Sequence, residues 1–439
     1  MSEYDVIVVG GNIAGSATAA LLGRYGLKVA LLEKSPDPSH YKHLCTHEIV
    51  ALANPVLERL GIFDRLREIG GPHRSPDLWT RYGWVAPDPT PEPEQGINVR
   101  REVLDPMVRE VAAGTPGVDL RLGALVTDVT RSADGRPVGV RVRERGAERE
   151  LRGRVIVGAD GQHSPVAKMT GVAARIKPHE RFGYAGYFEG VVPGHGDAVT
   201  SKFWLLDPDV AYIFPTDGGL TLLAVAPFRT PERVAAFKAD LDGEFRRVYD
   251  GLPDGPDLSR ARQVGKYRGL VATRNSRRPP SAPGLAFVGD AAQVTDFVWG
   301  TGCGFALASA DLLADAVGPA LARAGSDADV DKALRVYRRR HFWAIGTHYL
   351  QTSSYSTGRP FTPPERALFR AGVRDETVAE AVHVMGSRVR PPHRIVTPAV
   401  LARAAVAAIG RPARGTVPPR AGGDAAARRA RSGYAGTPS

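Results

Sequence analysis

A short glycine-rich segment near the N-terminus, Gly10-Gly11-Asn12-Ile13-Ala14-Gly15, constrains the fold more than any other feature of the chain. It follows the apolar run 6–9, which suits a strand buried on both faces, and it opens the Ala-rich stretch 13–25, whose apolar positions have helical spacing. At such a junction, backbone N–H groups and the helix dipole meet a pyrophosphate. With a second strand predicted at 28–32, the pattern predicts a βαβ unit that binds a dinucleotide.

Residues of this unit have separate predicted roles. Gly10 makes the tight turn and Gly15 lets the helix pack against the strand, while Asn12 replaces the middle glycine of the G-x-G-x-x-G pattern. Glu33 ends the second strand, where a carboxylate accepts both ribose hydroxyls and repels a 2′-phosphate, which favours FAD or NAD over NADP. The predicted cofactor-binding residues of this unit are Gly10, Asn12, Ile13, Ala14, Gly15, Glu33 and Lys34.

Two later segments resemble motifs of the group A FAD-dependent monooxygenase superfamily. Residues 155–166, with Asp160-Gly161, resemble its Asp-Gly motif, and residues 284–292, with Gly289-Asp290, resemble its Gly-Asp motif. The resemblance covers about residues 4–325 and includes hydroxylases, flavin halogenases and geranylgeranyl reductase-like enzymes. It implies FAD as cofactor, with the Gly-Asp aspartate on the ribityl chain. The further cofactor contacts that it implies are Arg101, Val126, Asp160, Gly161, Gly289, Asp290, Gly300, Gly302 and Cys303.

The resemblance also implies an α/β protein with a para-hydroxybenzoate hydroxylase-like fold. A Rossmann-like FAD-binding domain would be interleaved with an antiparallel-sheet substrate domain and followed by a helical C-terminal region. The predicted divisions are 1–175 with 265–325 for FAD, 176–264 for the substrate, 326–410 for the helices and 411–439 for a disordered tail. Patterning predicts helices at 54–69, 102–113 and 304–321, an antiparallel excursion at 118–157, and a proline-rich loop at 87–94.

Composition excludes several classes of protein. Lys and Arg number 58 against 47 Asp and Glu, giving a net charge of +11, but the arginines are spread along the chain without a basic stripe. We therefore expect no nucleic-acid partner. We expect the positive charge to attract anionic cofactors. Two cysteines give no disulfide framework, and the N-terminus carries no signal-peptide pattern, which favours a reducing, cytoplasmic location. No apolar stretch approaches about 20 residues, so we expect no transmembrane segment.

Residues 39–47 hold the candidate catalytic side chains Lys42, Cys45 and His47. Their Lys-x-x-Cys element resembles a loop near the flavin in geranylgeranyl reductase-like proteins, which implies that they approach the isoalloxazine or the substrate. The segment lacks a recognised zinc spacing, and we expect no metal site. A solvated polar loop around a buried structural cysteine is the alternative interpretation.

Aromatic residues across 182–228 and 297–299 predict an apolar substrate pocket. The candidate substrate-binding residues are Tyr184, Trp204, Tyr212, Phe214, Phe297 and Trp299. Because strand side chains alternate, half of the strand residues could instead face a sheet–helix core. The element 212–215 resembles the aromatic-x-aromatic-Pro element of the reductase-like branch, and the halogenase form is absent. No lysine lies between Leu60 and Arg101, where a halogenase would carry one, so halogenation is a minority interpretation.

The leading functional hypothesis is an FAD-dependent monooxygenase of specialised metabolism. In it NADPH or NADH, or a separate flavin reductase, supplies electrons, and a C4a-hydroperoxide formed with O₂ hydroxylates or epoxidises an aromatic or olefinic small molecule. Two alternatives stay open. One is a geranylgeranyl reductase-like double-bond reductase, and the other is a non-redox flavoprotein that uses FAD as a scaffold for a binding or cyclising pocket.

Overall fold

The computed structural model describes residues 3–70, 76–85, 95–196 and 200–409. The predicted loop at 87–94 and tail at 411–439 lie outside the described residues. The strands are β1 (Tyr4–Val9), β2 (Val29–Glu33), β3 (Glu48–Ile49), β4 (Asp77–Thr80), β5 (Gly83–Val85), β6 (Ile97–Asn98), β7 (Val118–Leu122), β8 (Leu125–Arg131), β9 (Pro137–Glu144), β10 (Ala147–Gly158), β11 (Arg175–Lys177), β12 (Gly183–Glu189), β13 (Lys202–Leu205), β14 (Val210–Pro215), β15 (Thr221–Ala226), β16 (Arg262–Leu270), β17 (Asn275–Arg277), β18 (Ser281–Ala282), β19 (Leu285–Phe287) and β20 (Gln293–Val294). The helices are α1 (Ile13–Gly23), α2 (Asn54–Leu60), α3 (Phe63–Ile69), α4 (Arg101–Ala113), α5 (Pro165–Thr170), α6 (Pro231–Ala239), α7 (Leu241–Asp250), α8 (Gly302–Ala322), α9 (Asp327–His341), α10 (Thr347–Tyr355), α11 (Pro363–Gly372), α12 (Glu376–Ser387), α13 (Pro392–Ile395) and α14 (Pro398–Ile409).

The first sheet is built around the predicted βαβ unit. Its strand order is β18-β19-β10-β1-β2-β7, with β9 and β8 extending from β10. In β1, Val8 lies opposite Val157 of β10 and Leu31 of β2, both in parallel register. Such a strand is covered on both faces, which is why its sequence is continuously apolar. β7 is also parallel to β2, so the predicted antiparallel excursion at 118–157 is wrong for residues 118–122.

Helices α1, α4 and α8 cover one face of this sheet. The single helix predicted at 54–69 is wrong, because Gly61 adopts φ 74° and ends α2 before α3 begins at Phe63. By length and composition, α8 is long and apolar enough to cross a membrane, which the sequence reading did not anticipate. Two-thirds of its most apolar window, 67%, is buried, as in a core helix.

A second sheet carries the aromatic segment. Its order is β16-β12-β15-β14-β13-β4-β5, so it extends beyond the predicted 176–264 by taking β4 and β5 from residues 77–85 and part of β16. Alternation gives it two apolar faces. Helices α6 and α7 cover one face, and residues 297–299 with α10 and α11 pack against the other.

The C-terminal helices pack against α8, against the second sheet and against one another. α9 packs against α8 and beside β18, while α11, α12 and α14 form a small apolar cluster of their own. Their placement encloses space between the second sheet and the C-terminal region, and this space adjoins the segment that precedes α8.

Candidate functional site

The glycine-rich turn between β1 and α1 is a close-fitting cradle. Gly10 has φ 108°, and a Cβ there would lie 2.5 Å from the Ala159 carbonyl oxygen. A Cβ on Gly15 would lie 1.8 Å from the Gly10 oxygen. Both positions therefore require glycine, and the resulting backbone leaves the N-terminal N–H groups of α1 available to an anion.

Two charged residues hold the cradle. Glu33 is buried and its carboxylate accepts hydrogen bonds from the N–H of Gly11 at 2.7 Å and of Ser35 at 2.8 Å. Arg109 of α4, which the sequence reading missed, donates to the Gly11 oxygen at 3.0 Å and to the Asn12 side-chain oxygen at 3.2 Å. The Asn12 side chain is therefore engaged by Arg109. The only sequence signal for Arg109 is its place eight residues after Arg101 on the same helix.

Three predicted cofactor segments meet at the carboxyl ends of β1, β10 and β19. These strands are neighbours in the parallel part of the first sheet. A Cβ on Gly289 would lie 2.9 Å from the Cβ of Ala14, so the Gly-Asp motif abuts the first turn of α1. Ligands of open α/β sheets bind at such carboxyl ends. Ile13 and Ala14 are buried there, whereas Lys34 is exposed just after β2.

Two of the predicted cofactor contacts, Asp160 and Val126, also have structural roles. Asp160 accepts hydrogen bonds from the Ser164 hydroxyl at 2.7 Å and from the Val166 N–H at 2.8 Å, so its carboxylate organises the start of α5. Burial raises the pKa of Asp160, an effect that these hydrogen bonds oppose. Val126 packs in the apolar cluster on the sheet face opposite α1. Gly161, at φ 82°, lies in the turn between β10 and α5.

The segment with the candidate catalytic side chains folds against the Gly-Asp motif and the start of α8. The Lys42 ammonium lies 2.8 Å from the Asp290 carboxylate. The Cys45 and Cys303 sulfur atoms lie 3.5 Å apart. Arg101 is buried, forms an ion pair with Asp105 and points its guanidinium toward both sulfurs. Predicted residues from four separate parts of the sequence therefore share one site.

His47 connects this site to the second sheet. Its Nδ1 accepts a hydrogen bond from the Arg101 N–H at 3.1 Å, and its Nε2 contacts the Tyr187 hydroxyl. Burial lowers the pKa of His47, so the ring is neutral at physiological pH. Among the described residues, no group of three His, Cys, Asp or Glu side chains is placed to hold a metal ion.

The candidate substrate-binding aromatics are divided between the two faces of the second sheet. Trp204 and Tyr184 lie on the face covered by α6 and α7, where the Trp204 indole donates to the Pro253 oxygen at 2.8 Å and Tyr184 stacks on Phe237. Their prediction as substrate contacts is therefore wrong, because strand alternation turns them into the helix-covered core. The candidates on the opposite face are Tyr212, Phe214, Phe297 and Trp299.

A cavity of about 320 Å³ opens on that opposite face, between the second sheet and the C-terminal helices. Trp299 is the one predicted substrate residue in its lining. Its apolar lining residues include Leu78, Val85, Phe203, Phe361, Leu368, Phe369, Val382 and Met385. Its polar lining residues include Glu48, Gln351, Tyr355, Glu365, His383 and Arg388.

Four polar groups of this lining have buried atoms without a hydrogen-bond partner within the described part of the chain. They are the Glu48 Oε2, the Trp299 Nε1, the Tyr355 hydroxyl and the Arg388 Nε. Burial raises the pKa of Glu48 to about 8, although Arg388 opposes the shift, so its carboxyl is mostly protonated at neutral pH. Burial lowers the pKa of Arg388 to about 10, which leaves the guanidinium charged. Buried polar atoms without a partner are unusual in folded proteins, and several of them on one cavity wall make this cavity a candidate ligand site.

The loop before α8 joins the cavity to the cofactor site. Gly300 adopts φ 63°, and a Cβ there would lie 2.4 Å from the Glu48 carboxylate. The loop is anchored by Asp296, which pairs with Arg181 at 2.6 Å and with His179 at 2.9 Å, all three buried. The sequence did not predict a site role for Asp296 or Glu48, although Glu48 directly follows the segment 39–47 that holds the candidate catalytic side chains.

A model of the FAD binding domain family matches residues 3–244, more than half of the chain. The chain belongs to the FAD binding domain family. The glycine cradle and the open N-terminus of α1 suit the FAD pyrophosphate, and Lys42 and Asp290 offer polar groups to the rest of the cofactor. This flavoprotein is an FAD-dependent oxidoreductase.

Relatives of this flavoprotein differ in the reactions that their names state. A digeranylgeranylglycerophospholipid reductase of Methanosarcina mazei is 27% identical over 354 residues, covering 78% of this chain and 82% of the relative. The solved flavin-dependent brominase Bmp2 has a TM-score of 0.72 at 19% identity, covering 92% of this chain and 98% of that one. PqsL of P. aeruginosa, solved with 2-aminobenzoylacetate, has a TM-score of 0.65 at 22% identity, covering 88% and 99%. These structures share the fold of this chain.

Proposed function

We propose that this flavoenzyme is a monooxygenase that hydroxylates an aromatic small molecule bearing an acidic group. The observation that carries the proposal is the cavity of about 320 Å³ beside the cofactor site, with unpaired polar atoms on an otherwise apolar wall. A cavity of this size is at the small end of ligand pockets and suits one aromatic ring system better than a long prenyl chain.

The polar atoms suggest the substrate's functional groups. Arg388 is a buried, charged donor that lies 5.5 Å from the centre of the Trp299 ring, so it can pair with a carboxylate or phenolate beside a stacked ring. The indole N–H of Trp299 is a second donor on the same wall. The complementary ligand is therefore a flat apolar ring with an anionic substituent, which matches the expected apolar or aromatic substrate class.

Glu48 can hold a proton close to the substrate. A carboxyl group with a pKa of about 8 exchanges its proton near physiological pH, and its Oε2 has no partner among the described residues. We assign to the ionised form of Glu48, which a pKa of about 8 keeps accessible near physiological pH, the removal of a proton from a ring hydroxyl of the substrate, which makes the ring more electron-rich. The apolar side chains around it exclude water from the reacting ring.

Bound FAD would supply the activation of O₂, which no side chain of this site can perform. Electrons would come from NADPH or NADH, directly or through a separate flavin reductase. We place the reaction in the cytoplasm, where thiols such as those beside the cofactor site stay reduced, and in the biosynthesis of natural products.

The test is turnover of hydroxylated aromatic acids by the FAD-loaded protein under ¹⁸O₂. We expect the product to gain one ¹⁸O atom and NAD(P)H consumption to rise when substrate is added. The uncharged methyl ester of the same acid is the control, and it should bind weakly because it cannot pair with Arg388. Absence of ¹⁸O from every product would contradict the proposal.

A second candidate function, reduction of a prenyl double bond, is favoured by relatives such as the digeranylgeranylglycerophospholipid reductases of Thermoplasma acidophilum and Methanosarcina mazei, which are 24% and 27% identical over 70% and 78% of this chain. Anaerobic incubation with a prenylated lipid separates the two functions. A reductase forms product without O₂ and the product gains two hydrogens, whereas the monooxygenase forms none.

A further inference from the structure

The chain has two cysteines, and folding brings them together beside the cofactor site. Cys45 precedes β3 and Cys303 lies in the first turn of α8, 258 positions later, yet their sulfur atoms lie 3.5 Å apart. A disulfide requires about 2.05 Å, so the two sulfurs need approach by only ~1.5 Å. Both cysteines are free thiols in this structure.

The surroundings make the two thiols unequal. The Cys45 sulfur accepts a hydrogen bond from the His47 N–H at 3.3 Å, and the Arg101 guanidinium lies 4.0 Å from it and 3.8 Å from the Cys303 sulfur. The contact with Cys303, together with the charges of Arg101 and Lys42, lowers the pKa of Cys45 well below its usual value, although burial opposes this shift. The same contact, with burial, raises the pKa of Cys303.

Exposure adds to this difference. Cys45 is half-buried and is the more accessible of the two, whereas Cys303 is only 3% exposed. A reachable thiolate beside a protected thiol is the arrangement of a peroxide-reactive cysteine with a resolving partner. The guanidinium of Arg101, held by Asp105, also suits stabilisation of the hydroxide that leaves during peroxide cleavage.

We propose that Cys45 and Cys303 are a reversible dithiol–disulfide pair, with Cys45 as the sulfur that reacts with hydrogen peroxide and Cys303 as the resolving thiol. Hydrogen peroxide is the two-electron oxidant, and a flavin site that consumes O₂ without substrate turnover releases it locally. The pair is oxidised by two electrons while the peroxide is reduced to water.

The chemistry balances in two steps. The Cys45 thiolate attacks one peroxide oxygen, the O–O bond breaks, and a sulfenic acid and hydroxide form. The Cys303 sulfur then attacks the Cys45 sulfur, the S–O bond breaks, and the departing hydroxide takes up the proton of the Cys303 thiol. The hydroxide from the first step takes up the proton that Cys45 released when it ionised, so the sum is two thiols and one hydrogen peroxide giving one disulfide and two waters. A dithiol such as dithiothreitol reverses the reaction by exchange.

Disulfide formation would change the cofactor site itself. It removes the negative charge that faces Arg101 and ties the segment containing Lys42 to the start of α8. Because Lys42 pairs with Asp290 of the Gly-Asp motif, oxidation of the two cysteines changes the charge of this site and restricts the movement of the segment that contains Lys42.

The test treats the reduced full-length protein with a small excess of hydrogen peroxide, blocks free thiols with N-ethylmaleimide and digests with trypsin. We expect a disulfide-linked pair of peptides covering residues 43–59 and 278–323, and its loss after dithiothreitol. The proposal would be overturned if N-ethylmaleimide labels both cysteines after peroxide treatment that oxidises free glutathione. So would a disulfide found only between two molecules.

Two matched variants assign the roles. In Cys303→Ser the reaction should stop at a sulfenic acid on Cys45, which dimedone traps. In Cys45→Ser the Cys303 thiol should stay unmodified. The pH profile of Cys45 alkylation should have its midpoint below the ~8.5 of a free cysteine, and a midpoint at or above that value would contradict the assigned order. These readouts do not depend on turnover, so they stand whether or not the enzyme is a monooxygenase.

Discussion

The two faces of the second sheet are made by alternating residues of the same strands, yet they differ in whether the polar groups packed against them have hydrogen-bond partners. On the face covered by α6 and α7, the Trp204 indole donates to the Pro253 oxygen, and the Tyr249 hydroxyl lies 2.9 Å and 3.0 Å from two strand carbonyl oxygens. On the opposite face, Trp299 and Tyr355 keep polar atoms without a partner among the described residues. The satisfied face is a core, and the unsatisfied face carries the cavity that we propose as the substrate site.

The largest expected difference between the faces concerns stability. Phe245 of α7 is fully buried in the helix-covered core, so Phe245→Ala should lower the free energy of unfolding by about 3–5 kcal/mol. Phe369 is a partly buried residue of the cavity wall, so Phe369→Ala should cost roughly 1–2 kcal/mol. Urea unfolding of the two variants measures both values, and equal losses would break the comparison.

A second difference is a pH dependence confined to the cavity face. Burial raises the pKa of Glu48 to about 8 from an unfolded value of 4.5, so the native state keeps a proton that the unfolded state releases. Stability of the wild type should therefore fall relative to Glu48→Gln as pH rises from about 5 to 8, by at most ~1.4 kcal/mol per pH unit, and level off above 8.

The other titratable groups that line the same cavity, Arg388, His383 and Glu365, remain in both proteins. The difference between the two unfolding curves therefore isolates Glu48. Parallel curves across this pH range would show that Glu48 is ionised in the folded protein.

Removal of the cavity's cation should weaken ligand binding. We expect Arg388→Met to bind a hydroxylated aromatic acid about 10–100-fold more weakly, since a hydrogen bond to a charged group contributes about 1.5–3 kcal/mol. Titration of the FAD-loaded protein, followed by flavin absorbance, measures the affinity. The methyl ester of the acid should bind wild type and variant alike, and a loss shared by both ligands would point to a collapsed cavity.

The smallest expected effect compares two hydroxyl groups. Tyr249→Phe removes a hydroxyl that contacts two carbonyl oxygens and should cost about 1 kcal/mol. Tyr355→Phe removes a hydroxyl without a partner among the described residues and should leave the unfolding free energy within about 0.5 kcal/mol. A clear loss in Tyr355→Phe would show that its hydroxyl has a structural partner.

Prediction from the sequence succeeded where the chemistry is local. The turn at Gly10 and Gly15 needs only a strand, a helix and the absence of two Cβ atoms, all of which a few consecutive residues specify. It failed for Trp204 and Tyr184, because an aromatic run does not show which face of a strand will be covered by helices. It also missed Glu48 and Arg388, which carry no motif.

The sequence by itself determined a nucleotide-binding βαβ unit, the FAD family and the order of its motifs, because these depend on backbone geometry and short-range spacing. Tertiary structure alone decided which side chains share a site. Glu48 and Arg388 reach the same cavity from distant parts of the chain, and Cys45 meets Cys303 across 258 positions. Burial, which shifts the pKa of Glu48 and leaves polar atoms unpaired, is a property of that packing and of no single segment.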